Sequence, residues 1–178
     1  MINAGHEIRL VLRAQSGDHE ATEELLRGIQ SSLFSYISRL AGRANAEDVL
    51  QEVLLQIFRK LKGLHDPELF RPWAYRISNR AAFSYLKRER RWFDQSDDEV
   101  VMEDLPTPAK EHVSELFQGV PELLDEISPG SRAVLLLHYV HDLTIEEVAA
   151  ILKISSGTVK SRLAYGLSCL RKTIERKR

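Results

Sequence analysis

Leu143 to Leu163 reads LTIEEVAAILKISSGTVKSRL, and its spacing predicts two short helices meeting at a turn. Thr144 followed three residues later by Glu147 is the pattern of a capping box, so the first helix is expected to start at Ile145. Ile145, Val148, Ala149 and Leu152 repeat at helical spacing and predict a buried stripe, with Glu146 facing out. Ile154 closes the turn and Ser155 can cap the second helix, whose apolar positions are Val159, Leu163, Gly166, Leu167, Leu170 and Ile174. Small and basic residues then crowd the outer face near its start, as a helix entering a DNA groove requires. An ordinary helical hairpin with a solvated face is the plainer reading of any capped pair. The continuity of this motif favours DNA.

Apolar spacing is helical from end to end and β-branched alternation is missing, so the expected fold is all-α. The first helix is expected from about Glu7 to Gln15, with Ile8, Leu10, Val11 and Ala14 apolar, and Ser16-Gly17-Asp18 breaks it. The second runs from His19 towards Leu40, with an interruption expected near Gly28. A third runs from Asn45 or Ala46 to Leu61, with Leu50, Val53, Leu54, Ile57, Phe58 and Leu61 as its core stripe. Asp48, Gln51, Glu52 and Arg59 are left exposed, and such polar groups can hold a partner. The fourth is expected to open irregularly at Asp66-Pro67, become regular from Trp73 because Pro72 lacks an N–H, and reach Arg91. Phe70, Trp73, Ala74, Ile77 and Ala81 are its expected core face. Arg76, Arg80, Lys87, Arg88 and Arg91 lie among Tyr75, Phe83 and Tyr85, a mixture suited to single-stranded DNA. Aromatics in the core with merely solvated cations is the alternative, open at this point.

Charge is segregated. From Arg71 to Arg91 seven basic residues face one acid, from Trp92 to Glu126 eleven acids face Lys110 alone, and from Thr144 to Arg178 eight basic residues face three acids. Two basic blocks around an acidic one imply two nucleic-acid-facing modules, whose DNA binding should weaken steeply with salt. The expected domains are 1–91 and 110–178, joined by a flexible acidic linker over 92–109. Helical patterns at Val113, Leu116 and Phe117, at Pro121 to Ile127 and at Ser131 to Val140 lead into the paired helices, giving a second domain of four or five short helices.

Overall composition, 43% hydrophobic and 29% charged, is that of an ordinary globular protein. No apolar run or leader pattern suggests membrane insertion or secretion, which predicts a cytoplasmic protein. Cys169 stands alone on the last helix and reads as a packed or half-buried thiol. His138 and His141 lack further ligands to complete a zinc set, and no phosphate loop or nucleophile elbow is present, so no metal, cofactor or catalytic residue is expected.

The chain resembles an extracytoplasmic-function (ECF, group IV) sigma factor, a minimal sigma-70 family member keeping regions 2 and 4. The likeness rests on SGD at Ser16 to Asp18, AEDVLQE at Ala46 to Glu52, FRPWAYRIS at Phe70 to Ser78, YLKRERR at Tyr85 to Arg91, and EEVAAIL followed by GTVKSRL. It implies that Asp48, Gln51 and Glu52 dock on the β′ clamp helices of bacterial core RNA polymerase. It implies minus-10 promoter binding by Trp73, Tyr75, Arg76, Asn79, Arg80, Lys87, Arg88 and Arg91. It implies minus-35 reading by Ser156, Thr158, Lys160, Ser161, Arg162 and Tyr165, with Lys160 and Arg162 foremost, and an anti-sigma partner. The acidic linker corresponds to the segment near the RNA exit path. The chain departs from the pattern at Arg80, where Asn is usual, and at Ser84, where Asp is usual. Tyr165 and Leu167 replace two arginines, which weakens phosphate gripping or moves it to Arg171 and Lys172. Two other readings fit parts of the chain: a regulator dimerising on a palindrome, which leaves the first ninety residues without a role, and a sigma-like decoy for an anti-sigma protein.

Overall fold

Asp18 starts the longest N-terminal helix by the route its chemistry favours. Its backbone is extended (φ −72°, ψ 111°) and its carboxylate accepts from the Ala21 N–H at 3.0 Å. The computed structural model describes residues 4–89, 124 and 126–177, and the chain divides into two compact units, Met1–Arg88 and Glu89–Arg178. The described residues are helical, without strands. The expected linker over 92–109, Arg91 and the helical pattern at Val113 to Phe117 lie outside them.

In the first unit, α1 (Ala4–Gln15) packs on α2 (His19–Ala41), and α2 packs on both α3 (Ala46–Lys60) and α4 (Phe70–Arg88). Leu10, Val11, Leu25, Ile29, Leu33, Val53, Ile57 and Phe70 fill the space between them. Burying each such side chain contributes about 1.5–3 kcal/mol before the entropy of ordering is subtracted. The turns around α2 require positive φ, and glycine supplies it at Gly17 (95°) and Gly42 (93°). Gln15 Nε2 donates to the carbonyls of Leu61 and Leu64 at 3.0 and 2.7 Å, holding the α3–α4 connection against the end of α1.

Several expectations are corrected here. α2 passes Gly28 without a break, since packing of Leu25 and Ile29 on either side outweighs a glycine penalty of about 1 kcal/mol. α4 is regular from Phe70 rather than Trp73: Pro67–Leu69 form a 3₁₀ turn capped by Asp66, and Pro72 falls in the first turn, where its missing N–H had no partner to lose. Phe58 is 52% exposed, not core, because it sits on the outer side of α3 with Leu55. Ile8 is only half-buried, whereas Glu7 is buried.

In the second unit, α5 (Pro129–Leu135) is capped by Ser128 and continues as one wider π turn, Leu136–Val140. α5 and α6 (Ile145–Leu152) both pack on α7 (Ser156–Lys177). The last helix has 22 residues, so the expectation of only short helices fails. Val148, Ile151, Val159, Leu163, Leu167 and Leu170 are buried; Ile174 is only half-buried, and Thr173 takes the inward place by donating to Glu126 at 2.9 Å.

Candidate nucleic-acid interface

Thr144 and Glu147 cap each other: the Thr144 N–H donates to Glu147 Oε2 at 2.7 Å and the Glu147 N–H donates to Thr144 Oγ1 at 3.2 Å. α6 therefore starts at Ile145 as the sequence requires. It ends at Lys153, which takes a left-handed conformation (φ 57°, ψ 45°) and turns the chain towards α7. Ser155 Oγ accepts from the Thr158 N–H at 3.0 Å and opens α7. Helical period then places Val159, Leu163 and Leu170 inward and Gly157, Thr158, Ser161 and Tyr165 outward, with Lys160 and Arg162 on opposite flanks. A floor of short side chains between two cations lets the helix approach base edges while phosphates on either side are held. Ser156 and Lys160 are exposed, Tyr165 is 36% exposed, and the Ser161 hydroxyl donates to the Thr158 carbonyl at 3.0 Å. Cys169 is half-buried.

On α4 the helical period collects Trp73, Arg76, Arg80, Phe83, Ser84 and Lys87 on one sector of about 100°, opposite the buried Tyr75, Ser78 and Ala82. Arg80, Ser84, Lys87 and Arg88 are exposed; Trp73, Arg76 and Phe83 are half-buried. Trp73, expected in the core, thus stands at the edge of this stripe, its ring 6.2 Å from that of Phe70.

Two residues expected on this face are turned elsewhere. Tyr75 is 3% exposed and meets Tyr36 edge to face at 5.6 Å, which makes it core. Burial pushes its phenol up to about 12, against the opposing pull of Arg71 and of a hydrogen bond with Ser32. Asn79 Oδ1 accepts from the fully buried Tyr36 hydroxyl at 2.8 Å, tying α4 to α2. Tyr85 likewise accepts from Asn45 Nδ2. The period of α4 carried the inward direction of Tyr75, but its neighbouring cations outweighed that signal.

Asp48, Gln51 and Glu52 are exposed on one side of α3, and Leu55 (46% exposed) and Phe58 continue that side by two turns. The sequence reading placed Phe58 in the core and gave Leu55 no role. Gln51 also borders a groove of about 560 Å³ between α2 and α3, lined by Arg27, Phe34, Glu47, Leu50 and Leu54. No group of three or more His, Cys, Asp or Glu residues among those described is arranged to hold a metal ion.

The family models of Sigma-70 region 2 and Sigma-70 region 4 match residues 25–92 and 123–172. The ECF RNA polymerase sigma-E factor of Escherichia coli (strain K12) is 29% identical over 165 residues, covering 86% of each chain. Among solved structures, CnrH in complex with the cytosolic domain of CnrY superposes with a TM-score of 0.73 at 19% identity over 97% of this chain and 99% of that one. The sigma factor RpoE bound to the anti-sigma factor NepR from Bartonella quintana gives 0.67 at 23% identity over 88% and 98%. The all-α fold holding both regions defines a sigma-type transcription initiation factor, a class that binds DNA and catalyses nothing itself. The chain belongs to the sigma-70 family and is of the ECF type.

Proposed function

We propose that this protein is the promoter-specificity subunit of a bacterial RNA polymerase, working from the cytoplasm and held in reserve by an anti-sigma partner. One observation carries this reading: a single chain holds both a region 2 unit with an outward aromatic and cationic stripe and a region 4 unit with a capped helix pair. This reading takes 1–91 and 110–178 as its domains, about an acidic linker over 92–109. The α3 side from Asp48 to Phe58 docks on the clamp helices of core polymerase, where Leu55 and Phe58 supply apolar anchors that the polar trio lacks. Trp73, Arg76, Arg80, Phe83, Lys87, Arg88 and Arg91 hold the opened minus-10 strand, with the cations of the last turn on phosphates and rings under bases. Asn79 and Tyr75 support that face from behind. Ser156, Thr158, Lys160, Ser161, Arg162 and Tyr165 enter the major groove at the minus-35 element. The anti-sigma partner is suggested by the RpoE–NepR complex. No described helix is long and apolar enough to cross a membrane.

Purified protein added to bacterial core polymerase is expected to give run-off transcripts from a subset of a randomised two-element promoter library, none of which core alone transcribes. Absence of any selected promoter, with folded protein and active core, overturns the reading.

A further inference from the structure

We infer that Arg80 reads a base in the opened strand, selecting one that presents two adjacent hydrogen-bond acceptors over adenine or thymine. The inference rests on the promoter-opening role proposed above. Arg80 is exposed at the middle of the α4 stripe, between Trp73 and Phe83. Those rings are the surfaces on which unstacked bases can lie, so a group held between them meets base edges rather than only the backbone. Lys87 and Arg88 stand at the end of α4, beyond both rings, as phosphate contacts. The neighbouring residue able to read a base through mixed donor and acceptor atoms is Asn79, and its oxygen is committed to the Tyr36 hydroxyl at 2.8 Å. Among the described residues Arg80 has neither an ion pair nor a hydrogen bond from its side chain.

A guanidinium carries donors only, in a fixed planar fork. It is satisfied at both prongs by O6 and N7 of guanine. An unpaired cytosine offers a comparable pair in O2 and N3. Adenine sets its amino donor beside N1 and N7 and leaves N3 without a second acceptor next to it, and thymine separates its two carbonyls by an N–H. The fork therefore sorts guanine and cytosine from adenine and thymine at one position.

The test uses the full chain assembled with core polymerase on the randomised library, read as the ratio of transcripts at each minus-10 position. Wild type is expected to favour guanine or cytosine at one position by about tenfold, the discrimination of a bidentate pair. Arg80→Lys, which keeps the charge but not the fork, and Arg80→Ala are expected to flatten that position alone. Replacing a preferred guanine by 7-deazaguanine should remove the preference in wild type only, whereas a preferred cytosine identifies the other acceptor pair. A uniform fall in transcription with unchanged ratios makes Arg80 a phosphate contact and overturns the inference, while the promoter role stands. Wild type without selected promoters overturns both.

Discussion

Glu7 and Arg71, 64 residues apart, meet as a two-pronged ion pair: Nη2 lies 2.9 Å from Oε1 and Nε donates to Oε2 at 2.9 Å. Glu7 is 8% exposed, so its carboxylate depends on that fork, and the pair fixes α1 against the start of α4. Removing one partner of a buried pair costs about 3–5 kcal/mol, less here because the Arg71 side chain is 29% exposed. Arg71→Ala should destabilise the first unit by about 2 kcal/mol. Urea unfolding followed by Trp73 fluorescence, in a Trp92→Phe background, checks it. An unchanged midpoint would mean that the pair is structurally idle.

Acid should loosen the start of α2. The Ala21 N–H, then Arg13 at 2.7 Å, hold the Asp18 carboxyl below its ordinary value of 3.8. A carboxylate whose pKa is depressed by folding stabilises above the unfolded value, and that contribution disappears as pH falls through the lower folded value. Asp18→Asn keeps much of the cap but cannot ionise. The variant should therefore lose stability relative to wild type at neutral pH, with the gap closing below about pH 4. A gap constant from pH 7 to 2, measured by denaturant titration, would contradict it.

Docking on polymerase is expected to depend on apolar contact as well as charge. Leu55→Ser with Phe58→Ser removes two exposed side chains, so helicity and thermal midpoint should hold while affinity for core polymerase falls at least tenfold, typical of lost interface anchors. Gln51→Ala with Glu52→Ala should also weaken core binding and leave binding of a minus-35 duplex intact. Fluorescence titration with labelled core, beside a duplex shift assay, separates these effects.

Gly166 of α7 lies against Leu135 of α5. A Cβ there would lie 2.5 Å from Leu135 Cδ1 and 3.1 Å from its Cγ. Gly166→Ala gains helix propensity but must displace a fully buried leucine, and overpacking of this kind costs about 1–3 kcal/mol. Hydrogen exchange of α7 amides should accelerate in the single variant and recover partly when Leu135→Ala is added. Slower exchange in the single variant would show that Leu135 yields without strain.

What the sequence made legible follows from the range of each interaction. The capping box at Thr144 and Glu147, the Asp18 cap and the Ser155 cap are local, and each appears as expected. The inward turn of Asn79 depends on Tyr36, and the burial of Glu7 depends on Arg71; neither partner is close in sequence. Phe58 misled for a different reason. A large apolar residue beside a stripe reads as core, but α3 keeps it outside. The family resemblance supplied the expectation of docking and DNA-facing segments, whereas the orientation of individual side chains within α4 came only from how that helix seats on α2.

The length of α7 has a mechanical consequence. Its 22 residues form a rod of about 33 Å, with the residues proposed to face the DNA groove in its opening turns and the clasp of Thr173 and Arg176 on Glu126, at 2.9 and 2.6 Å, near the opposite end. Swinging the arm of about 26 Å from Thr173 to Ser156 by about 3° around that clasp sweeps the tip by roughly 1.3 Å, nearly half the length of a hydrogen bond. On the proposed reading, alignment at the nucleobases thus depends partly on a carboxylate about four turns away, which no footprint on DNA would reveal.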